Sequence, residues 1–231
     1  MKINKIILKS LLLASSIGFL STSSAQLYSR ANGMMIYDSD QDITWLANAN
    51  YAATQYAESC GKQPLPGGVV DSEGGMDWYT AVEYVKALSF GGYDDWRLPK
   101  SLQPDTTCDD QSKVVGSYGF NCTGSELGNL FHVGLGGQPG KSIVDVHNEN
   151  FDLFKNIETR TYWYDNQWEV APLIARNLHM DLGFQNANAK SVHLIVWPVR
   201  DGDVADEIKQ EPKHSKKDMN KACGMKNIVT K

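Results

Sequence analysis

Asp145, His147 and Glu149 alternate along the chain, so on an extended strand all three would face one way and could offer metal ligands. Three side chains from one short strand seldom complete a coordination shell, and an ordinary polar loop is the better reading; no metal and no cofactor are expected. Cys108 and Cys122 bracket a polar, glycine-containing loop whose closure by a disulfide would contribute about 3 kcal/mol in the chain-entropy model. They are the natural pair. Cys60 and Cys223 are left with three outcomes: a bond that pins the tail to the body, a free thiol, or an intermolecular bond. Asp38, Asp40 and Asp42 invite a calcium-loop reading, but the sixth and twelfth positions hold Ile43 and Ala49 where an EF-hand needs Gly and Glu, so these are read as solvated turn carboxylates. Two later stretches mix amide, carboxylate and aromatic groups: Tyr164, Asp165, Asn166, Gln167, Trp168 and Glu169, then Gly183, Phe184, Gln185, Asn186, Ala187 and Asn188. Such groups hydrogen-bond sugar hydroxyls and stack on a pyranose face. The competing reading makes Trp163 and Trp168 core or cross-strand residues and the Asn residues turn formers.

These groups need elements to position them. Met34 to Tyr37 and Ile43 to Leu46 read as a hairpin across the Asp-rich turn. Asp77 is placed to cap a helix whose apolar positions Trp78, Ala81, Val82, Val85 and Leu88 follow the helical period and stop at Gly91 and Gly92. Thr123 and Glu126 fit a capping box opening a second helix through Leu127, Leu130 and Phe131. Thr161 to Tyr164, Leu173 to Met180 and His193 to Val199 are strand-like. The plan is α+β with two helices on a mostly antiparallel sheet and long irregular loops.

Charge divides the chain into three. Lys2, Lys5 and Lys9, an apolar run from Leu11 to Leu20, and Ser23-Ser24-Ala25 form a secretory signal over residues 1–25, cleaved before Gln26. Residues 26–203 carry 12 basic and 23 acidic groups, a balance of −11 that disfavours nucleic acid and sulfated polysaccharide as partners. Residues 204–231 lose apolar periodicity and carry seven Lys against four acids, a basic tail expected to be disordered. No later segment is long and apolar enough to span a membrane, so the mature protein is expected in the periplasm or secreted, where disulfides persist.

The run Gly92-Tyr93-Asp94-Asp95-Trp96-Arg97-Leu98-Pro99 resembles the signature of the Lcl C-terminal domain family, a domain of unknown function named after a bacterial collagen-like adhesin. Ile43-Thr44-Trp45, Met76-Asp77-Trp78, Asn121 to Glu126 and the closing run Trp197 to Asp203 resemble further family segments, so the likeness covers about residues 34–203. It implies a C-type-lectin-like fold, related to that of formylglycine-generating enzymes. It further implies that Asp94 or Asp95 pairs with Arg97 in or near the core, that Trp96 packs under the sheet, and that Pro99 ends the extended segment. The chain departs from the family in having no collagen-like repeat, which removes the namesake's multivalent adhesion. It ends in a basic polar tail where many relatives have an apolar sorting segment.

A lectin-like fold would place its ligand on the irregular loops between late strands, here Tyr164, Asp165, Asn166 and Trp168 with Phe184 and Asn186. The expected function is therefore an exported, non-enzymatic, adhesion-type domain that recognises a glycan or a cell-surface protein. A structural component of an envelope or matrix is the alternative. An oxidase related to formylglycine-generating enzymes ranks below both, since no nucleophile elbow, zinc-protease helix or phosphate loop occurs.

Overall fold

A computed structural model describes residues 26–63, 68–112, 116–168 and 171–204. Residues 1–25, on which the signal reading falls, Glu169, Cys223 and all of the tail beyond Val204 lie outside the described residues. In chain order the elements are β1 (Leu27–Arg30), β2 (Met35–Asp38), β3 (Ile43–Leu46), α1 (Tyr51–Glu58), α2 (Trp78–Ala87), β4 (Asp110–Ser112), β5 (Gly116–Tyr118), α3 (Glu126–Asn129), β6 (Thr161–Trp168), β7 (Ala171–His179), β8 (Phe184–Ala189) and β9 (Val199–Asp201). The architecture is α+β. Three antiparallel sheets run in the orders β1-β2-β3-β9, β4-β5 and β6-β7-β8.

Strands β2, β3 and the start of β6 are apolar on successive residues because each is covered on both faces. Ile36 and Trp45 point into the central core with Leu127, Phe131, Tyr162, Leu178 and Trp197. Met35 and Leu46, their strand neighbours, point the other way onto Leu88, Phe90 and Trp96. Trp163, between Tyr162 and Tyr164, turns to the opposite face and meets Ala81, Tyr84 and Val85 of α2. Two of the buried indoles are also tied by their N–H groups, Trp197 to the Leu46 carbonyl at 2.8 Å and Trp163 to the Met76 carbonyl at 3.0 Å, whereas Trp45 Nε1 has no partner among the described residues.

The expected hairpin forms in register, Asp38 opposite Ile43, and β9 joins its far side, so the two ends of the described body share one sheet. Asp38 departs from the solvated reading. It is fully buried and accepts from the Asp40 and Gln41 backbone N–H groups and the Gln41 side chain, holding the turn from inside; burial pushes its carboxyl up. Asp77 caps α2 as expected, accepting from Thr80 N–H at 2.7 Å. The helix α1 escaped the sequence reading. Its eight residues are short and polar on most faces, and its start is marked only by Asn50, whose side chain accepts from Ala53 N–H.

The capping box of Thr123 and Glu126 does not form. Ser125 is the residue preceding α3, and the Glu126 carboxylate turns away to Arg97 and to the Lys100 N–H. The tertiary partner carries a full positive charge, which outweighs a single orphan amide. Asp145 lies in a turn, His147 in the irregular stretch after it, and Glu149 opens a short 3-10 segment (Glu149–Leu153), so none of the three is on a strand; His147 stacks on Phe151 at 4.1 Å between centroids.

Candidate functional site

The middle of β6 carries more residues than the β7 opposite it: Trp163 pairs with Asn177, yet Gln167 pairs with Ala175. The surplus bulges out at Tyr164, Asp165 and Asn166, and its polar groups find partners elsewhere. Asp165 N–H donates to the Pro99 carbonyl at 2.9 Å. The Asn166 side chain pairs with both backbone groups of Ser101, accepting at 2.8 Å and donating at 2.6 Å. Tyr164 is fully buried, and its hydroxyl accepts from Gly128 N–H at 3.2 Å. The bulge is thus bolted to the segment that follows the Gly92 to Pro99 run. It is a structural joint rather than an open binding loop.

Beyond the bulge, Trp168 swings toward β7 and β8, and there a cleft of about 290 Å³ opens, lined by Tyr118, Trp168, Arg176, Asn186 and Ala187. Arg176 and Ala187 are direct cross-strand partners on β7 and β8. Tyr118 comes from the β4-β5 hairpin, which attaches to the edge of β8 through reciprocal bonds between Gly119 and Gln185, 3.0 and 2.8 Å. One carbonyl organises the floor: Ser117 O accepts from Arg176 Nη1 at 3.0 Å, Gln185 Nε2 at 3.2 Å and Gln103 Nε2 at 3.2 Å. Gly116 makes room for this. Its φ is +75°, and a Cβ there would lie 2.5 Å from Gln103 Oε1 and 2.6 Å from Arg176 Nη2. The Cys108–Cys122 disulfide, paired as expected, closes the loop that carries the hairpin. Cys60 is also disulfide-bonded, while Cys223 lies outside the described residues.

Of the residues expected to bind ligand, Trp168 and Asn186 meet in this cleft, Asn186 exposed at its rim. Tyr164 belongs to the core and Asn166 to the bulge. Asp165 is half-buried beside Glu126, and burial together with that neighbouring charge pushes its carboxyl up to about 6. Phe184 packs edge-on against Phe120 at 5.0 Å. Of the two stretches read as loops, Tyr164 to Trp168 lie in strand β6 and Phe184 to Asn188 in strand β8. Sequence reasoning missed Tyr118 and Arg176, while Ala187 lay within the second stretch it had singled out. Arg176 carried a signal: on a strand it alternates onto the same face as Ile174, Leu178 and Met180, where a charge calls for a polar partner.

The Gly92 to Pro99 run has structural work, with pairings that differ from expectation. Arg97 does not pair with Asp94 or Asp95. Its guanidinium grips Glu126 through two bonds of 2.8 Å and also reaches Asp201 of β9. Asp95 instead takes Arg200 of β9 through two bonds of 2.7 Å, and Asp94 is exposed. On the extended segment Asp95, two residues before Arg97, shares its face and Asp94, three before, faces the other way, while the closing strand lies alongside and supplies the partners: Arg97 and Val199 exchange backbone bonds of 2.8 and 3.0 Å. The result is a crossed clamp, acid to base at Asp95 and Arg200 and base to acid at Arg97 and Asp201. The Arg200 bonds hold the Asp95 carboxyl below its ordinary range, and those of Arg97 do the same for Asp201. Trp96 packs against the Met35 and Leu46 face of the sheet, and Pro99 is buried at the end of the segment.

These features define a small disulfide-closed α+β domain with interlocked charged segments and a cleft lined by Tyr118, Trp168, Arg176, Asn186 and Ala187. The chain belongs to the Lcl C-terminal domain family, whose model matches residues 34–200. Neither a curated protein nor a solved structure matches it. Among the described residues no helix is long and apolar enough to cross a membrane.

Proposed function

We propose that this domain is an exported, C-type-lectin-like binding module that takes a glycan ring in the cleft of Tyr118, Trp168, Arg176, Asn186 and Ala187. The observation that carries the reading is that Trp168 and Asn186, far apart in sequence, converge with a second aromatic ring on one concavity of about 290 Å³. That is the small end of ligand-site volumes and suits one or two sugar rings. Trp168 and Tyr118 supply apolar faces for the C–H side of a pyranose, and the Asn186 amide at the rim supplies donors and an acceptor for hydroxyls. Export follows from reading residues 1–25 as a signal, and the disulfide suits an oxidising compartment.

A glycan array probed with the mature protein, and with Trp168→Ala and Asn186→Ala, tests this. Specific signals weakened about tenfold or more in Trp168→Ala support the reading, tenfold corresponding to about 1.4 kcal/mol. An array silent for the wild-type protein, or hits indifferent to both substitutions, overturns it in favour of a structural envelope role.

A further inference from the structure

Behind the cleft, Asp105, Cys108 and Cys122 bring a carboxylate oxygen and two sulfurs within 4.8 Å of one another, all three residues buried. Asp105 is fully buried, yet its carboxylate takes only the Thr107 N–H at 3.1 Å, the Thr107 hydroxyl and the Ser125 hydroxyl at 2.9 Å. No Lys, Arg or His among the described residues forms an ion pair with it. Buried carboxylates are ordinarily matched by a cation or a metal. A second observation points to the same place. Gln185, fully buried on β8, sets its Nε2 3.6 Å from Cys108 Sγ and 3.2 Å from Ser117 O, while its Oε1 has no hydrogen-bond partner among the described residues. Half a turn of that amide gives up the bond to Ser117 O and turns the unused oxygen toward the sulfurs.

We propose that reduction of the Cys108–Cys122 disulfide converts this pocket into a site for one thiophilic divalent cation of the Zn²⁺ type, held by both thiolates and Asp105 with the Gln185 amide oxygen as fourth ligand. Two soft sulfurs and two oxygens suit such an ion in tetrahedral coordination. Thr107 and Ser125 already hold the carboxylate in place from behind, as outer-shell donors do in metal sites. The chemistry balances in two steps. A phosphine reductant and water deliver two electrons and two protons, turning the disulfide into two thiols and the phosphine into its oxide. The cation then forms two metal–sulfur bonds and displaces the two thiol protons, with no change of oxidation state. Disulfide and metal thus exclude each other at one pair of sulfurs. This inference does not rest on the glycan reading, although the two sites share Gln185, which bonds Ser117 O at the cleft floor, and the disulfide loop that carries Tyr118.

The test uses the mature chain carrying Cys60→Ser and Cys223→Ser, so that no other sulfur pair contributes. It is reduced with a phosphine, freed of reductant without air, and titrated with Cd²⁺. The expected result is an ultraviolet thiolate-to-metal band saturating at one equivalent, with about two protons released. The band should be absent from the oxidised protein and from Cys122→Ser, and affinity should fall about tenfold or more in Asp105→Asn. Circular dichroism follows the fold. If reduction alone unfolds the chain, Zn²⁺ must restore it. A reduced, folded protein with no saturable band overturns the proposal, as does an unfolded one that Zn²⁺ fails to rescue, or a Cys122→Ser variant that binds equally well.

Discussion

Arg97 and Asp95 sit two positions apart in one extended segment and hold pairs of very different worth. The Arg97 and Glu126 side chains are 19% and 14% exposed, so removing one leaves the other charge in a poorly solvated place. Arg97→Met is expected to cost about 3 kcal/mol, read as a lowered midpoint in urea unfolding. Asp95 is 54% exposed, and Asp95→Asn should cost less than about 1 kcal/mol in the same measurement, because water screens the pair with Arg200. Asp165 makes the opposite kind of prediction. It lies beside Glu126, Arg97 and Lys100, and its carboxyl is pushed up to about 6 by burial and by Glu126. The folded state therefore binds this proton more tightly than the unfolded chain does. The group's favourable contribution is complete below about pH 4 and lost as the pH rises through about 6. Asp165→Asn should stabilise the protein at pH 7, on the order of 1 kcal/mol, and flatten the stability profile between pH 4 and 6. A variant that leaves that profile unchanged would rule out the raised Asp165 carboxyl, whose larger cause is burial and whose smaller one is Glu126.

Elements here depend on small residues at points of close approach. At Gly128 in α3 a Cβ would lie 2.1 Å from the Cys122 carbonyl oxygen, so Gly128→Ala must push the helix off the disulfide loop. Loss of soluble folded protein, or destabilisation well above 2 kcal/mol, is expected. Gly116→Ala is subtler, since its obstacles are the ends of Gln103 and Arg176 and its backbone is left-handed. We expect a loss of about 1 to 2 kcal/mol with the overall fold retained, and a displaced Arg176 visible in a crystal structure of the variant. Element identity was legible where local chemistry acts alone: the Asp77 cap with its helical period, and the hairpin on either side of the Asp38 turn. It was illegible where a remote partner competes. Glu126 left its capping box for Arg97, and the Asn-rich run from Phe184 to Ala189 became a strand because β7 and the Gly119 backbone offered partners on both sides.

At the scale of the molecule, the disulfide closes a loop of sequence separation 14 that carries one wall of the cleft. Replacing both Cys108 and Cys122 by Ala should cost about 3 kcal/mol by loop-closure entropy and weaken any ligand bound against Tyr118 more than one bound elsewhere. Calorimetry of the oxidised protein and of the double variant measures the first effect. The family likeness, the pairing of Cys108 with Cys122 and the α+β plan were all present in residue order, because each rests on a short run or on a periodicity. The partners of Arg97, the burial of Asp38 and the wall residues Tyr118 and Arg176 were not, because each depends on which distant segments lie side by side. By itself the sequence determined which residues could be buried, capped or cross-linked, since those are properties of side-chain chemistry at local spacing. Only the tertiary structure decided which charges meet and where a concavity remains. Both follow from strand register and from the bulge at Tyr164 to Asn166, which long-range packing selects and no local pattern encodes.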